Sequence, residues 1–113
     1  MANLGTGFYQ KLVQIGQRTG LKPEDLLLVM CMESGLSPTA RNPEGNASGL
    51  VQFMPFVLKN LGFKGTDADF RKLNGEAQLD YVEKLVQGMT KYNGGPFKSA
   101  TQYYVGNFFH KFF

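Results

Sequence analysis

Seven consecutive apolar residues, Leu26-Leu27-Leu28-Val29-Met30-Cys31-Met32, run directly into Glu33-Ser34-Gly35. The run is too long and too apolar for one face of an exposed helix, so it predicts a helix buried on most sides. Pro23 suits the first turn of such a helix, and Glu24 and Asp25 suit its positive end. Gly35 is a natural left-handed stop. Glu33 then falls in the last turn, half inside the core and against the negative end of the helix dipole. Desolvation and that field both disfavour the ionised form, so a raised pKa is expected. A carboxyl group kept protonated near neutral pH is what general-acid catalysis needs. The bland alternative is a buried carboxylate satisfied by backbone donors and serving only the fold. Burying an unpaired charge is expensive, so such residues are usually paired or functional.

The chain of 113 residues suffices for one hydrophobic core, and 42% hydrophobic residues is ordinary for a globular domain. Its longest apolar run is far short of the roughly 20 residues that cross a bilayer. Met1–Gly7 has no basic region and no long apolar stretch, so no secretory signal is visible. Action outside the cytoplasm would therefore need another export route or a larger parent protein. Cys31 is the only cysteine, which leaves no intrachain disulfide, and its place in the apolar run predicts a buried, inert thiol. The net charge of +3 is carried entirely by the second half. Residues 1–50 balance four basic against four acidic side chains, whereas residues 51–113 hold eight against five. That excess suits an anionic polymer such as a cell wall or nucleic acid, and a solvated surface explains it equally well. No nucleic-acid motif or interleaved basic-aromatic stripe accompanies it. His110 is the single histidine, with no ligand pattern around it, so neither a metal site nor any cofactor is expected.

The remaining pattern is helical. Phe8, Leu12 and Ile15 make a stripe over Phe8–Arg18. Residues 36–49 are dense in turn formers and predict one long ordered excursion, with at most a minimal hairpin inside it. A loop of that length in a compact domain is usually functional. Helix is expected again over Gln52–Leu61 with Gly62 as its stop, then a short piece opened by Thr66 and running to Leu73. Asn74 caps a longer helix through Tyr92, with Leu79, Val82, Val86 and Met89 as its core stripe. Asn93-Gly94-Gly95-Pro96 breaks the chain before a last helix from Phe97. No convincing strand pair appears, so the fold class is mostly α.

Glu33-Ser34-Gly35 is followed, across the excursion, by Gly49-Leu50-Val51-Gln52-Phe53-Met54-Pro55, with Gln52 nineteen residues after Glu33. This pair resembles the soluble lytic transglycosylase (SLT-type) family of the lysozyme-like superfamily, where a Glu-Ser pair ends a buried helix and a Gly-Leu-x-Gln-x-Met-Pro segment follows. Pro38…Asn42-Pro43-Glu44-Gly45…Ser48-Gly49 resembles that family's intervening loop. Gln102-Tyr103-Tyr104-Val105-Gly106 occupies the place of the family's Ala-Tyr-Asn-Ala-Gly stretch, which sets Tyr103 on its functional tyrosine. Lys91-Tyr92-Asn93-Gly94-Gly95-Pro96 is closer letter by letter, but it fits the Gly-rich turn that precedes the family's final helix. Tyr104 stands where the family has asparagine, and Asn42 where it often has serine.

The resemblance implies a small lysozyme-like helical domain, over about residues 22–110, acting on peptidoglycan glycan strands at the bacterial cell wall. Glu33 and Tyr103 become the catalytic candidates, and Gln52, Met54, Ser34 and Asn42 the substrate-binding ones. Each has a plainer reading: Gln52 on a helix surface, Met54 filling the core, Ser34 bracing the helix end, Tyr103 packing inside. A family member manages with one glutamate, the sugar's own acetamido group and an internal hydroxyl, leaving a 1,6-anhydro end. A goose-type hydrolase would instead recruit Asp67 or Asp69 to position water, and a non-catalytic wall-binding module would need neither. The settings implied are a phage cell-wall enzyme, virion-associated, or the periplasmic wall-opening part of a secretion or conjugation device. Phe97, Tyr103, Tyr104, Phe108, Phe109, Phe112 and Phe113 crowd the last seventeen residues, more aromatics than one core absorbs, which suggests a protein partner there.

Overall fold

A computed structural model describes residues 3–93, with the side chains of Thr90, Tyr92 and Asn93 left out. The last helix expected from Phe97, Tyr103, His110 and the aromatic C-terminus lie outside the described residues. Five helices follow one another: α1 (Phe8–Thr19), α2 (Pro23–Ser34), α3 (Pro55–Asn60), α4 (Asp67–Arg71) and α5 (Gly75–Asn93). The architecture is the mostly helical, lysozyme-like one. In place of a sheet, the described residues have two isolated antiparallel bridges, Arg41 with Ser48 and Ser48 with Phe53.

α1 packs on both α2 and α5. Its stripe of Phe8, Leu12 and Ile15 is buried, as the spacing requires, and meets Leu79, Val82, Leu85, Val86 and Met89 of α5 in one core. Across the same interface Lys11 pairs with Asp80 at 2.8 Å, and Arg18 reaches Glu83 through two nitrogens at 2.6 and 2.8 Å. The start of α5 shows how a helix end is satisfied. Its first two N–H groups donate to the carbonyls of Asn3 and Leu4, and the Ala77 N–H donates to Asn74 Oδ1 at 2.9 Å. Asn74 is thus the cap its residue type predicts, while the other two acceptors come from the far end of the chain.

α2 departs from expectation. It buries Leu26, Val29 and Met30, but Leu28 and Met32 are 52% and 53% exposed, and Cys31 is exposed as well. Seven apolar residues in succession carry no signal for which face turns inward. Contact with α1 and the excursion selects the Leu26, Val29, Met30 stripe and leaves the opposite side uncovered by the described residues.

α3 also starts later than the sequence suggests. Pro55 takes its first turn, and a residue before proline is pushed out of the helical region. Met54 is accordingly extended (φ −72°, ψ 149°), so the helix cannot reach back to Gln52. α4 opens with a full capping box: the Asp69 N–H donates to Thr66 Oγ1 and the Thr66 N–H to Asp69 Oδ2. It ends at Arg71, not Leu73. Its Phe70 is fully buried and meets Phe53, Phe63 and Tyr81 edge-on, with centroids 5.2–5.6 Å apart. Pairs of that geometry add about 0.5–1.5 kcal/mol each beyond area burial. They fix the far side of the excursion against α5.

Candidate functional site

Glu33 occupies the last turn of α2 and is half-buried. The chain behind it turns sharply. Gly35 is left-handed (φ 66°), and so is Leu36 (φ 63°), with the Gly35 N–H bonded to Cys31 O and the Leu36 N–H to Met30 O. Asn46 and Gln52 are left-handed too, at φ 58° and 57°. All three positive-φ non-glycine residues among those described therefore lie in the excursion, which in the structure runs from Leu36 to Met54, up to the start of α3. Each such conformation costs about 1 kcal/mol or more, and such strain gathers at functional segments.

The motif Gly49-Leu50-Val51-Gln52 is the loop of a one-bridge hairpin. Ser48 and Phe53 exchange both backbone hydrogen bonds at 2.9 Å, and the four residues between them turn the chain around. Leu50 and Val51 point into the core, and Phe53 is buried behind them. Gly49 cannot be any other residue here. Its φ is +81°, and a Cβ would run into Gln78 Oε1 and come within 3.0 Å of the Phe70 ring.

Two side chains hold this hairpin by the backbone N–H and C=O of Leu50. Ser34 Oγ donates toward Leu50 O at 2.8 Å, lies 3.0 Å from Met30 O, and accepts the Ser37 N–H at 3.1 Å. From the other side the Leu50 N–H donates to Gln78 Oε1 at 3.0 Å. Ser34 thus ties the residue next to Glu33 directly to the hairpin that carries Gln52, and bracing is the role its bonds support. The Gln52 amide donates to Gly49 O at 3.0 Å and Ala40 O at 3.3 Å. Its Oε1 accepts no hydrogen bond among the described residues, which leaves an acceptor for a ligand donor. Met54 is half-buried, with its methyl 3.3 Å from where a Cβ on Gly45 would be. Asn42 is exposed on the loop, and its Oδ1 accepts the Glu44 N–H at 3.0 Å to build a local turn.

Ser34 thus joins the Glu33 end of α2 to the hairpin that carries Gln52; Asn42 is exposed in its own local turn, and Tyr103 lies outside the described residues. Asp67 and Asp69, the candidates for a second carboxylate, are engaged locally. The Arg71 guanidinium, 2.9 Å away, holds the Asp67 carboxyl below the usual range, and the Thr66 backbone and hydroxyl donors do the same for Asp69. Two residues with supporting roles carried no motif. Arg71 donates to buried Ser48 Oγ at 2.7 Å, and Gln78 reaches three carbonyls besides Leu50. For Gln78 a signal existed: it falls on the core spacing of Val82, Leu85 and Met89, a polar residue on an apolar stripe. No group of three or more His, Cys, Asp or Glu among the described residues is placed to hold a metal ion.

A helical lysozyme-like domain with a glutamate at the end of a core helix, tied to a Gly-Leu-x-Gln hairpin, defines a class of glycan-processing folds. A comparison with protein families matches the transglycosylase SLT domain over residues 12–111, nearly the whole chain, and the protein belongs to that family. Neither a curated protein nor a solved structure matches the chain.

Proposed function

We propose that the protein cleaves peptidoglycan as a lytic transglycosylase, with Glu33 as the single general acid and base. The observation that carries this reading is the Ser34–Leu50 hydrogen bond, which fixes the Glu33 end of α2 against the hairpin bearing Gln52. An acid and a sugar-binding amide are then held on one unit before substrate arrives. The protonated Glu33 carboxyl gives its proton to the oxygen of the β-1,4 bond between N-acetylmuramic acid and N-acetylglucosamine. The bond from the muramic acid C1 to that oxygen breaks, and the 2-acetamido group shares the positive charge left on C1. The Glu33 carboxylate next takes the proton of the same sugar's 6-hydroxyl as its oxygen bonds to C1. A 1,6-anhydro end results and the glutamic acid is restored, so no water and no second carboxylate are consumed.

Gln52 and Met54 line the glycan cleft in this reading, Asn42 meets sugar from the loop, and Tyr103 orients Glu33. The local engagement of Asp67 and Asp69 favours this course over a hydrolase that needs one of them to hold water. Glu33→Gln keeps the shape and removes the acid. Its rate of wall digestion should fall roughly 10²–10⁴-fold with an unchanged melting temperature. Wild-type clearing by that variant would end the assignment. Mass spectra showing reducing rather than anhydro ends would move the reaction to the hydrolase class. Tyr103→Phe should slow cleavage more than Tyr92→Phe; the reverse order would transfer the tyrosine role to Tyr92. Cell-wall action from the virion or the periplasm is part of the proposal, and detection of the chain by mass spectrometry in one of those fractions tests it.

No helix among the described residues is long and apolar enough to cross a membrane.

A further inference from the structure

Gln78 is fully buried in α5, twenty-eight positions along the chain from Leu50, and it uses both ends of its amide. Oε1 accepts the Leu50 N–H at 3.0 Å, while Nε2 lies 2.7 Å from Pro38 O and 3.2 Å from both Phe70 O and Leu73 O. The amide pairs buried backbone groups that an apolar side chain would leave unsatisfied, and each such group left unpaired is costly. The partners of Gln78 are not scattered. Two of them, Pro38 and Leu50, are where the excursion leaves α2 and where it returns as the hairpin. The third and fourth belong to the end of α4 and the turn into α5.

The requirement is specific to glutamine. The Leu50 N–H needs an acceptor, and Pro38 O and Leu73 O face the Nε2 donor, so an ionised carboxylate fails at those carbonyls and an apolar chain fails at both. Gly49 has no Cβ where that Oε1 lies, so the first residue of the motif and Gln78 fit as one unit. The carbonyl of the same residue, Leu50, is held by Ser34, next to Glu33.

Resting on the transglycosylase reading, we infer that Gln78 is a positioning residue for Glu33. By holding the Leu50 N–H it sets the hairpin against Ser34, and through Ser34 the final turn of α2. Neither Glu33 nor glycan needs to touch it. Displacing a reacting group by about 1 Å costs on the order of 10²-fold in rate, so a loosened clamp is felt in turnover before it is felt in binding.

The test compares the full chain with its Gln78→Met and Gln78→Glu variants. Gln78→Met keeps length and volume without donor or acceptor. It should remain helical by circular dichroism and lose about 10- to 100-fold in kcat with a much smaller change in KM. In the same variant the Leu50 amide should exchange faster with solvent, and the Glu33 carboxyl carbon should titrate at a different pH from the parent by NMR. Gln78→Glu gives a second reading if the methionine variant does not fold. Its activity relative to the parent should rise as pH falls, because the protonated carboxyl regains a donor for the carbonyls. A folded Gln78→Met variant with the parent's kcat and Glu33 titration would overturn the inference. So would a Gln78→Glu variant whose relative activity is flat with pH. If the parent cleaves no glycan while its Glu33 titration still responds to Gln78→Met, the functional reading falls and the clamp stands.

Discussion

α5 and the excursion from Leu36 to Met54 each contain nineteen residues, and they are built on opposite terms. α5 bonds its own backbone in regular helix, buries one stripe and receives help at its first turn from Asn3, Leu4 and Asn74. The excursion has two isolated bridges, three strained non-glycine residues, and hydrogen bonds supplied from Ser34, Arg71 and Gln78. A helix of this kind tolerates local change, because each of its bonds depends on near neighbours. The excursion concentrates its dependence on a few distant side chains, and Glu33, Ser34, Asn42, Gln52 and Met54 lie along or beside it.

The sharpest way to break this contrast is Gly49→Ala. Positive φ and the collision with Gln78 and Phe70 should together cost about 2–4 kcal/mol, read as a lowered urea midpoint. A loss under about 1 kcal/mol would mean that the hairpin is free to move away from α5. Next in size is Asn74→Ala, which removes the cap of α5. About 1 kcal/mol should be lost, with glycan cleavage rates unchanged below the melting temperature. An activity loss there would show that α5 is less self-contained than its bonds imply.

Gln52→Gly should change stability by less than about 1 kcal/mol, since relief of the left-handed strain offsets the two lost hydrogen bonds. Its wall-digesting activity should nonetheless fall, measured by release of soluble fragments. Retained activity would assign Gln52 to the turn alone. The smallest effect concerns the α4 cap. Asp69 has a folded-state pKa below its ordinary value of 3.8, held down first by the Thr66 donors. Its contribution is therefore present above the ordinary carboxylate range and lost as pH falls through the lowered folded value. The melting temperature of the parent should exceed that of Asp69→Asn by a constant margin above about pH 5, shrinking toward pH 3. A margin that grew on acidification would contradict the capping geometry.

Much of this was legible residue by residue. Local chemistry announced the caps at Thr66 and Asn74, the left-handed stop at Gly35 and the α1 and α5 stripes, because each involves neighbours within a turn or two. Glu33 and Gln52 were legible through the spacing of their motifs. What Gln52 does to the backbone was not: its left-handed turn follows from the Ser48–Phe53 bridge and from Pro55 ending the helix at its back. Cys31 was misjudged for a related reason. Burial was expected from composition, and an all-apolar run gives every position the same apparent claim to the core.

The sequence by itself determined the helical class, the order of the described elements, the caps at Thr66 and Asn74 and the family, since these rest on short-range periodicity, local hydrogen bonding and a motif. Tertiary structure decided which side of α2 faces inward, why Gly49 is glycine, and that Gln78 and Ser34 grip Leu50 from two helices. Those outcomes depend on groups separated by sixteen and twenty-eight positions meeting at hydrogen-bonding distance. No local pattern encodes such a meeting, because it exists only once the helices have packed.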